Sequence, residues 1–178
     1  MIYSAAMKNK KETAKRKTRS RDAGREMLRH TLATLAYRAR KPLSDVPAGF
    51  SEFRASESSR TPGQILAHLG DLMDWALSAA RGKQEWHNSK PMVWKEGVER
   101  FYAGVKALDG YLGSAAPLGA SAEKLFQGAI ADSLTHVGQI SFLRRCAGAP
   151  VRGENYMQAD IAAGRVGLDQ PAPKREFD

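Results

Sequence analysis

Apolar residues recur along this chain at three- and four-residue spacing rather than in alternation, and the pattern marks four helical stretches. From about Asp22 to Arg40, the positions Leu28, Leu32, Leu35, Ala36 and Ala39 form one stripe. Pro42 disfavours helical geometry at Lys41, so this first helix is expected to end near Arg40. The breaker-rich stretch PLSDVPAGFSEFRASESS then reads as a long connection with room for one short helical turn. Thr61, Pro62 and Gln64 make a helix start: a hydroxyl cap, proline at the first position and an amide that reaches back. This second helix runs to about Ala80, and Gly82 opens a polar loop that reaches Lys90. Pro91 opens a third helix, in which Trp94, Val98, Phe101, Val105, Leu108 and Leu112 share a seam suited to bundle packing. Ser121 caps a fourth helix that continues to about Ala147, where Gly148 and Pro150 stop it.

No alternating run and no internal repeat interrupts this series, so the expected fold is an all-α four-helix bundle. From Val151 onward the chain is rich in glycine and proline and is expected to wrap the bundle, with one short helix near Tyr156 to Ala163. A length of 178 residues suits one domain, placed at residues 22–178. The formal charge of +9 belongs mostly to the start of the chain. Ten Lys or Arg against three acidic residues over positions 1 to 29 contribute +7, leaving +2 for the rest. Residues 1–21 therefore read as a flexible basic tail with little to bury, able at most to attract nucleic acid weakly and in a salt-sensitive way. No run of about 18 apolar residues is present to cross a bilayer, and no secretory signal leads the chain, so the expected location is the cytoplasm. Cys146 is the single cysteine, and a buried structural thiol is its expected role.

Chemistry concentrates on two helices. At 100° per residue, Leu125, Ala129, Ile140, Leu143 and Ala147 fall within about 40° of His136, and Asp132 falls there too. Ile65, Leu72, Trp75 and Ala79 similarly surround His68. Two imidazoles and a carboxylate thus point into one apolar interior, where they must bond each other, a water or a metal ion. From periodicity alone, a metal site and a metal-free polar network both fit, the first because two histidines and a carboxylate are a recurrent open ligand set. Asp71, about 60° from His68, is either an acceptor for that imidazole or a solvent-facing side chain. Gln139 flanks His136 on the other side, as a contact for bound water or substrate or as a packing residue. His30 and His87 have no convergent partners, and no phosphate loop, serine elbow or cysteine nucleophile signature is present, so no catalytic residue is assigned.

The segments RTPGQILAHLGDLMDWAL, residues 60 to 77, and DSLTHVGQISFLRRCAGAPVRGENY, residues 132 to 156, resemble the second and fourth helices of the DinB/YfiT-like family. The most characteristic run is His136, Gly138 and Gln139 leading into Leu143, Arg144 and Gly148, and the likeness spans most of residues 24 to 168. It implies a four-helix bundle that holds a divalent ion through one histidine of helix two and two histidines on helix four. By that resemblance His68 takes the first role and His136 the last, while Asp132 stands where the family more often has histidine. It implies zinc or nickel, with iron or manganese also compatible, and a metal-dependent hydrolase or thiol-dependent transferase acting on a small molecule. The alternative is a non-catalytic, stress-associated homodimer with a vestigial site. Leu66, Met73 and Leu77 on helix two and Leu134 and Phe142 on helix four are the expected subunit contacts. Glu154, Asn155 and Tyr156 form a GENY stretch whose plainest role is to anchor a lid.

Overall fold

A computed structural model describes residues 2–177, with side chains from residue 23 onward. The expected tail over residues 1–21 lies outside the residues whose side chains are described. Four helices pack together: α1 (Ile2–Leu43), α2 (Pro62–Ala80), α3 (Trp94–Leu112) and a fourth built from α4 (Ala122–Leu125), a π turn (Phe126–Ile130) and α5 (Ala131–Cys146). Both α1 and α2 pack mainly on α3 and α5. The two helices that follow one another in sequence therefore sit diagonally, which the long connection from residue 44 to residue 61 permits. A 3-10 turn (Phe50–Glu52) within it packs on α2 and buries Phe50 edge-on against Trp94, with ring centroids 5.5 Å apart.

The stripes expected from the sequence are the core. Leu28, Leu32, Leu35, Ala36 and Ala39 of α1 and Phe101, Val105, Leu108 and Leu112 of α3 are all buried. Thr61 and Gln64 form the expected reciprocal cap of α2: Gln64 N donates to Thr61 Oγ1 at 3.2 Å and Thr61 N to Gln64 Oε1 at 2.9 Å. Helix α1 runs past its expected end, through Pro42 to Leu43. The carbonyls at that terminus are satisfied from elsewhere in the fold. Trp94 Nε1 donates to Leu43 O at 3.0 Å, and the buried Arg144 guanidinium donates to the carbonyls of Lys41, Ser44 and Asp45.

Helix α2 is buried on two faces, and this corrects one expectation. Leu66 and Met73 are core residues, not subunit contacts, because α3 approaches that side closely. A Cβ on Gly97 would lie 2.9 Å from Leu66 Cδ2, and one on Gly104 only 2.7 Å from Met73 Cβ. Two glycines one heptad apart thus let α3 seat against the very residues that a single-helix projection leaves outside. Phe142, by contrast, is exposed as expected. Cys146 is also exposed rather than buried, because the last residue of α5 turns its side chain away from the neighbouring Leu143 and Arg144, which face the interior. Just beyond it, Gly148 takes φ 74° and ends the helix in a left-handed residue: Gly148 N bonds Arg145 O and Ala149 N bonds Arg144 O.

The expected short helix near Tyr156 to Ala163 is absent. That stretch is a series of turns, opened by Asn155, whose Oδ1 accepts from Met157 N at 3.1 Å and so competes with helical hydrogen bonding. The preceding residues are held extended by an antiparallel pair, β1 (Gly153–Glu154) with β2 (Glu176–Phe177). The anchor role read for the GENY stretch is realised on α1. Tyr37 Oη donates to buried Glu154 Oε1 at 2.5 Å, Lys41 Nζ lies 3.2 Å from Glu154 Oε2, and Tyr156 packs edge-on to Tyr37 and under Arg38. Burial, then the bond to Glu154, push the Tyr37 phenol far above its ordinary range.

Candidate metal centre

His68 lies in the middle of α2, between buried Ala67 and Leu69 and one turn from Ile65 and Leu72, so its ring leaves the core only at its edge. Asp132 and His136 sit one turn apart at the start of α5, directly after the π turn. A π turn adds a residue to the helical repeat and re-aims the side chains that follow, a device common beside functional sites. Its Gly128 leaves room for Trp75 of α2, whose ring would lie 3.1 Å from a Cβ there. The close approach brings the two helices together where the three polar groups meet.

One ligand atom from each of His68, Asp132 and His136 lies within 4.8 Å of the other two. His68 Nε2 is 3.4 Å from Asp132 Oδ2, and His136 Nε2 is 3.5 Å from Asp132 Oδ1. Good N–H···O bonds are near 2.9 Å, so these are poor hydrogen bonds. They run to the two different oxygens of Asp132 and leave room for an ion that donors would approach to roughly 2.1 Å. Gln139 sharpens the fit. His136 Nδ1 is 2.7 Å from Gln139 Oε1, and the tautomer with its proton on Nδ1 would donate to that oxygen and turn the Nε2 lone pair toward Asp132. Burial first, and the neighbouring His136 second, lower the His68 pKa against the pull of Asp132. A neutral imidazole is the form that ligates a metal.

An aromatic rim closes one side. Trp86 packs edge-on against the His68 ring at 5.5 Å, and Trp75 stands behind it at 6.0 Å. Trp86 comes from the α2–α3 loop, which is tied down by Asp71: Ser89 N and Oγ donate to its two oxygens at 2.8 and 2.6 Å. Asp71 is therefore neither solvent-facing nor an acceptor for His68. It is buried, and Arg100 of α3 also donates to it at 2.6 Å across the gap left by Gly70. Burial alone would raise its pKa, but the bonds from Ser89 and Arg100 outweigh that and hold it below the usual carboxylate range.

The three residues expected from the sequence are thus together, and Gln139 is bonded to one of them. His30 and His87 are exposed and belong to no cluster among the described residues. Trp86 was not foreseen, because it lies in a polar loop where helical periodicity carries no information. The fold and the cluster define the class: an all-α four-helix protein with a His–Asp–His set of side chains that could hold a metal ion between its second and fourth helices. No protein-family model, curated protein or solved structure matches the chain. Among the described residues, no helix is long and apolar enough to cross a membrane.

Proposed function

We propose that the protein is a DinB/YfiT-like metal-dependent enzyme, of the hydrolase or thiol-dependent transferase type, that acts on a small molecule. His68, Asp132 and His136 are its ligands for a divalent ion, zinc or nickel first and iron or manganese next. The observation that carries this reading is the convergence of one donor atom from each of the three residues within 4.8 Å. The motif resemblance over residues 60 to 77 and 132 to 156 supports it independently of the geometry. A divalent ion held there supplies Lewis acidity, polarising or acidifying whatever group it binds. The chain's own residues supply the rest. Burial lowers the His68 pKa and so favours its neutral form, Gln139 offers an acceptor to His136 Nδ1, and Trp86 packs edge-on against the His68 ring.

The test is metal analysis of protein purified without an affinity tag, followed by titration of the stripped protein with zinc and nickel. The expected result is a bound divalent ion at up to one per chain, lost in His136→Ala. Protein that is metal-free on purification and takes up no ion in titration overturns the proposal.

A further inference from the structure

Beside the metal cluster, a groove of about 480 Å³ opens along the side of His136 and Gln139. That is the size of a small-molecule site. Its apolar wall is made by Ile65, Leu143 and Phe142, and its charged wall by Arg60. Ile65 and Leu143 are buried, whereas Phe142 is 61 % exposed and presents its ring to whatever occupies the groove.

Arg60 is exposed and is paired with no carboxylate among the described residues, so its charge is available at the groove wall. It directly precedes the cap of α2, whose first turn contains no acidic residue. A cation at a helix N-terminus adds to the positive end of the helix dipole instead of offsetting it. One end of the groove is thus electropositive and uncompensated, and the other is apolar and partly bare.

We propose that this groove binds an amphipathic monoanion, with a carboxylate-type head on Arg60 and an aliphatic body over Ile65, Leu143 and Phe142. Such a molecule lies alongside His136 and Gln139, so its middle faces the metal cluster. This assignment deepens the enzymatic reading and rests on it for the meaning of that proximity, but the binding itself does not need an ion. A second copy of the chain covering Phe142 is the competing occupant.

Octanoate, 1-octanol and octylamine, which share a chain and differ in head charge, test the proposal on the full-length protein. Binding is followed by amide chemical-shift titration, with and without zinc. Octanoate is expected to bind in both states, with shifts centred on Arg60, Gln139 and Phe142, and octylamine to bind at least about tenfold more weakly, since the sign of the head-group interaction reverses. Arg60→Gln should weaken octanoate by about fivefold, the scale of one exposed ion pair, and leave octanol and the zinc affinity unchanged. Phe142→Ser should weaken all three ligands. Equal binding of octanoate and octylamine, shifts elsewhere on the protein, or a dimer that buries Phe142 and is dissociated by Phe142→Ser overturns the proposal. If octanoate behaves as expected while zinc does not bind, the groove stands and the metal reading fails. If zinc binds and octanoate shows no head-group preference, the reverse holds.

Discussion

Two carboxylates in this molecule meet similar company and end in different states. Glu154, with a side chain 1 % exposed, receives the Tyr37 hydroxyl at 2.5 Å and has Lys41 at 3.2 Å, which itself reaches Glu176 at 2.5 Å. Asp132, 44 % exposed, has two imidazole nitrogens at 3.4 and 3.5 Å and no close donor. The first cluster is closed by Tyr37 on one oxygen of Glu154 and the Lys41 charge beside the other, although Glu154 Oε2 accepts no hydrogen bond. The second is held open by its helices, with three groups pointing at a shared centre and none bonded well to another. Polar groups with short mutual contacts serve the fold, whereas groups that meet only at long range could hold an ion between them.

The largest expected effect tests the closed cluster. Glu154→Ala leaves the buried Tyr37 hydroxyl without its acceptor and Lys41 with Glu176 alone, so the unfolding free energy should drop by about 3 kcal/mol, the upper end for an orphaned buried polar group. Zinc affinity should not change, because no contact links that clamp to His68, Asp132 or His136. Urea unfolding and a zinc titration on the same variant check both halves. A zinc affinity lowered tenfold would show that the two regions are coupled and the comparison is false.

Next comes Gln139→Leu, which touches only the open cluster. With the Nδ1 acceptor gone, His136 is free to take the other tautomer and to rotate, and zinc affinity should fall by about 10 to 100-fold. Gln139 is exposed, so stability should stay within about 0.5 kcal/mol of the parent. Unaltered zinc binding in this variant would remove Gln139 from the site.

How much of this was legible beforehand follows from what a helical projection can see. Most roles fixed by a single helix were found: the α1 and α3 stripes, the Thr61–Gln64 cap, the Ser121 cap, and the meeting of His68, Asp132 and His136, although Asp132 is nearly half exposed and Cys146 faces outward. What escaped depends on a second element. Leu66 and Met73 look outward from α2 until Gly97 and Gly104 admit α3, and Asp71 looks solvent-facing until Arg100 crosses over Gly70. The π turn left no mark on the apolar pattern, because Leu125, Ala129 and Ile130 remain buried through it. The C-terminal turns in place of a helix reflect a local Asx bond and a two-residue strand pair, both too short to print a period.

A smaller effect separates the regions by pH in the metal-free protein. The folded pKa of His68 lies below its ordinary value of about 6.5, chiefly through burial, so the unfolded chain takes up a proton more readily than the folded one. Its contribution to stability is therefore present above about pH 6.5 and is lost as pH falls through the lower folded value. Unfolding measured between pH 7.5 and 5 should show a fall in stability that His68→Gln reduces. Saturating zinc should deepen the same dependence, since protons then compete with the ion for the imidazoles. Identical pH slopes for parent and His68→Gln would place the titrating group elsewhere.

The smallest effect on the fold, and the sharpest on the site, is expected from Asp132→His. Nearly half of the Asp132 side chain faces solvent and its two contacts are long, so exchanging it should change stability by no more than about 0.5 kcal/mol. The new imidazole would stand one turn before His136 and across from His68, recreating the three-histidine set that the family resemblance makes the commoner one. Zinc should then bind at least as tightly as to the parent, because neutral nitrogen donors suit that ion. Asp132→Asn separates charge from shape. It keeps the side chain's size and loses the anionic donor, and zinc affinity should fall at least tenfold, about 1.4 kcal/mol. A structure of the zinc-loaded parent completes the comparison, with a carboxylate oxygen of Asp132 expected roughly 2.0 to 2.2 Å from the ion. If Asp132→His fails to bind zinc and the parent's carboxylate is turned away from both histidines, Asp132 is no ligand and the three-residue centre is wrong.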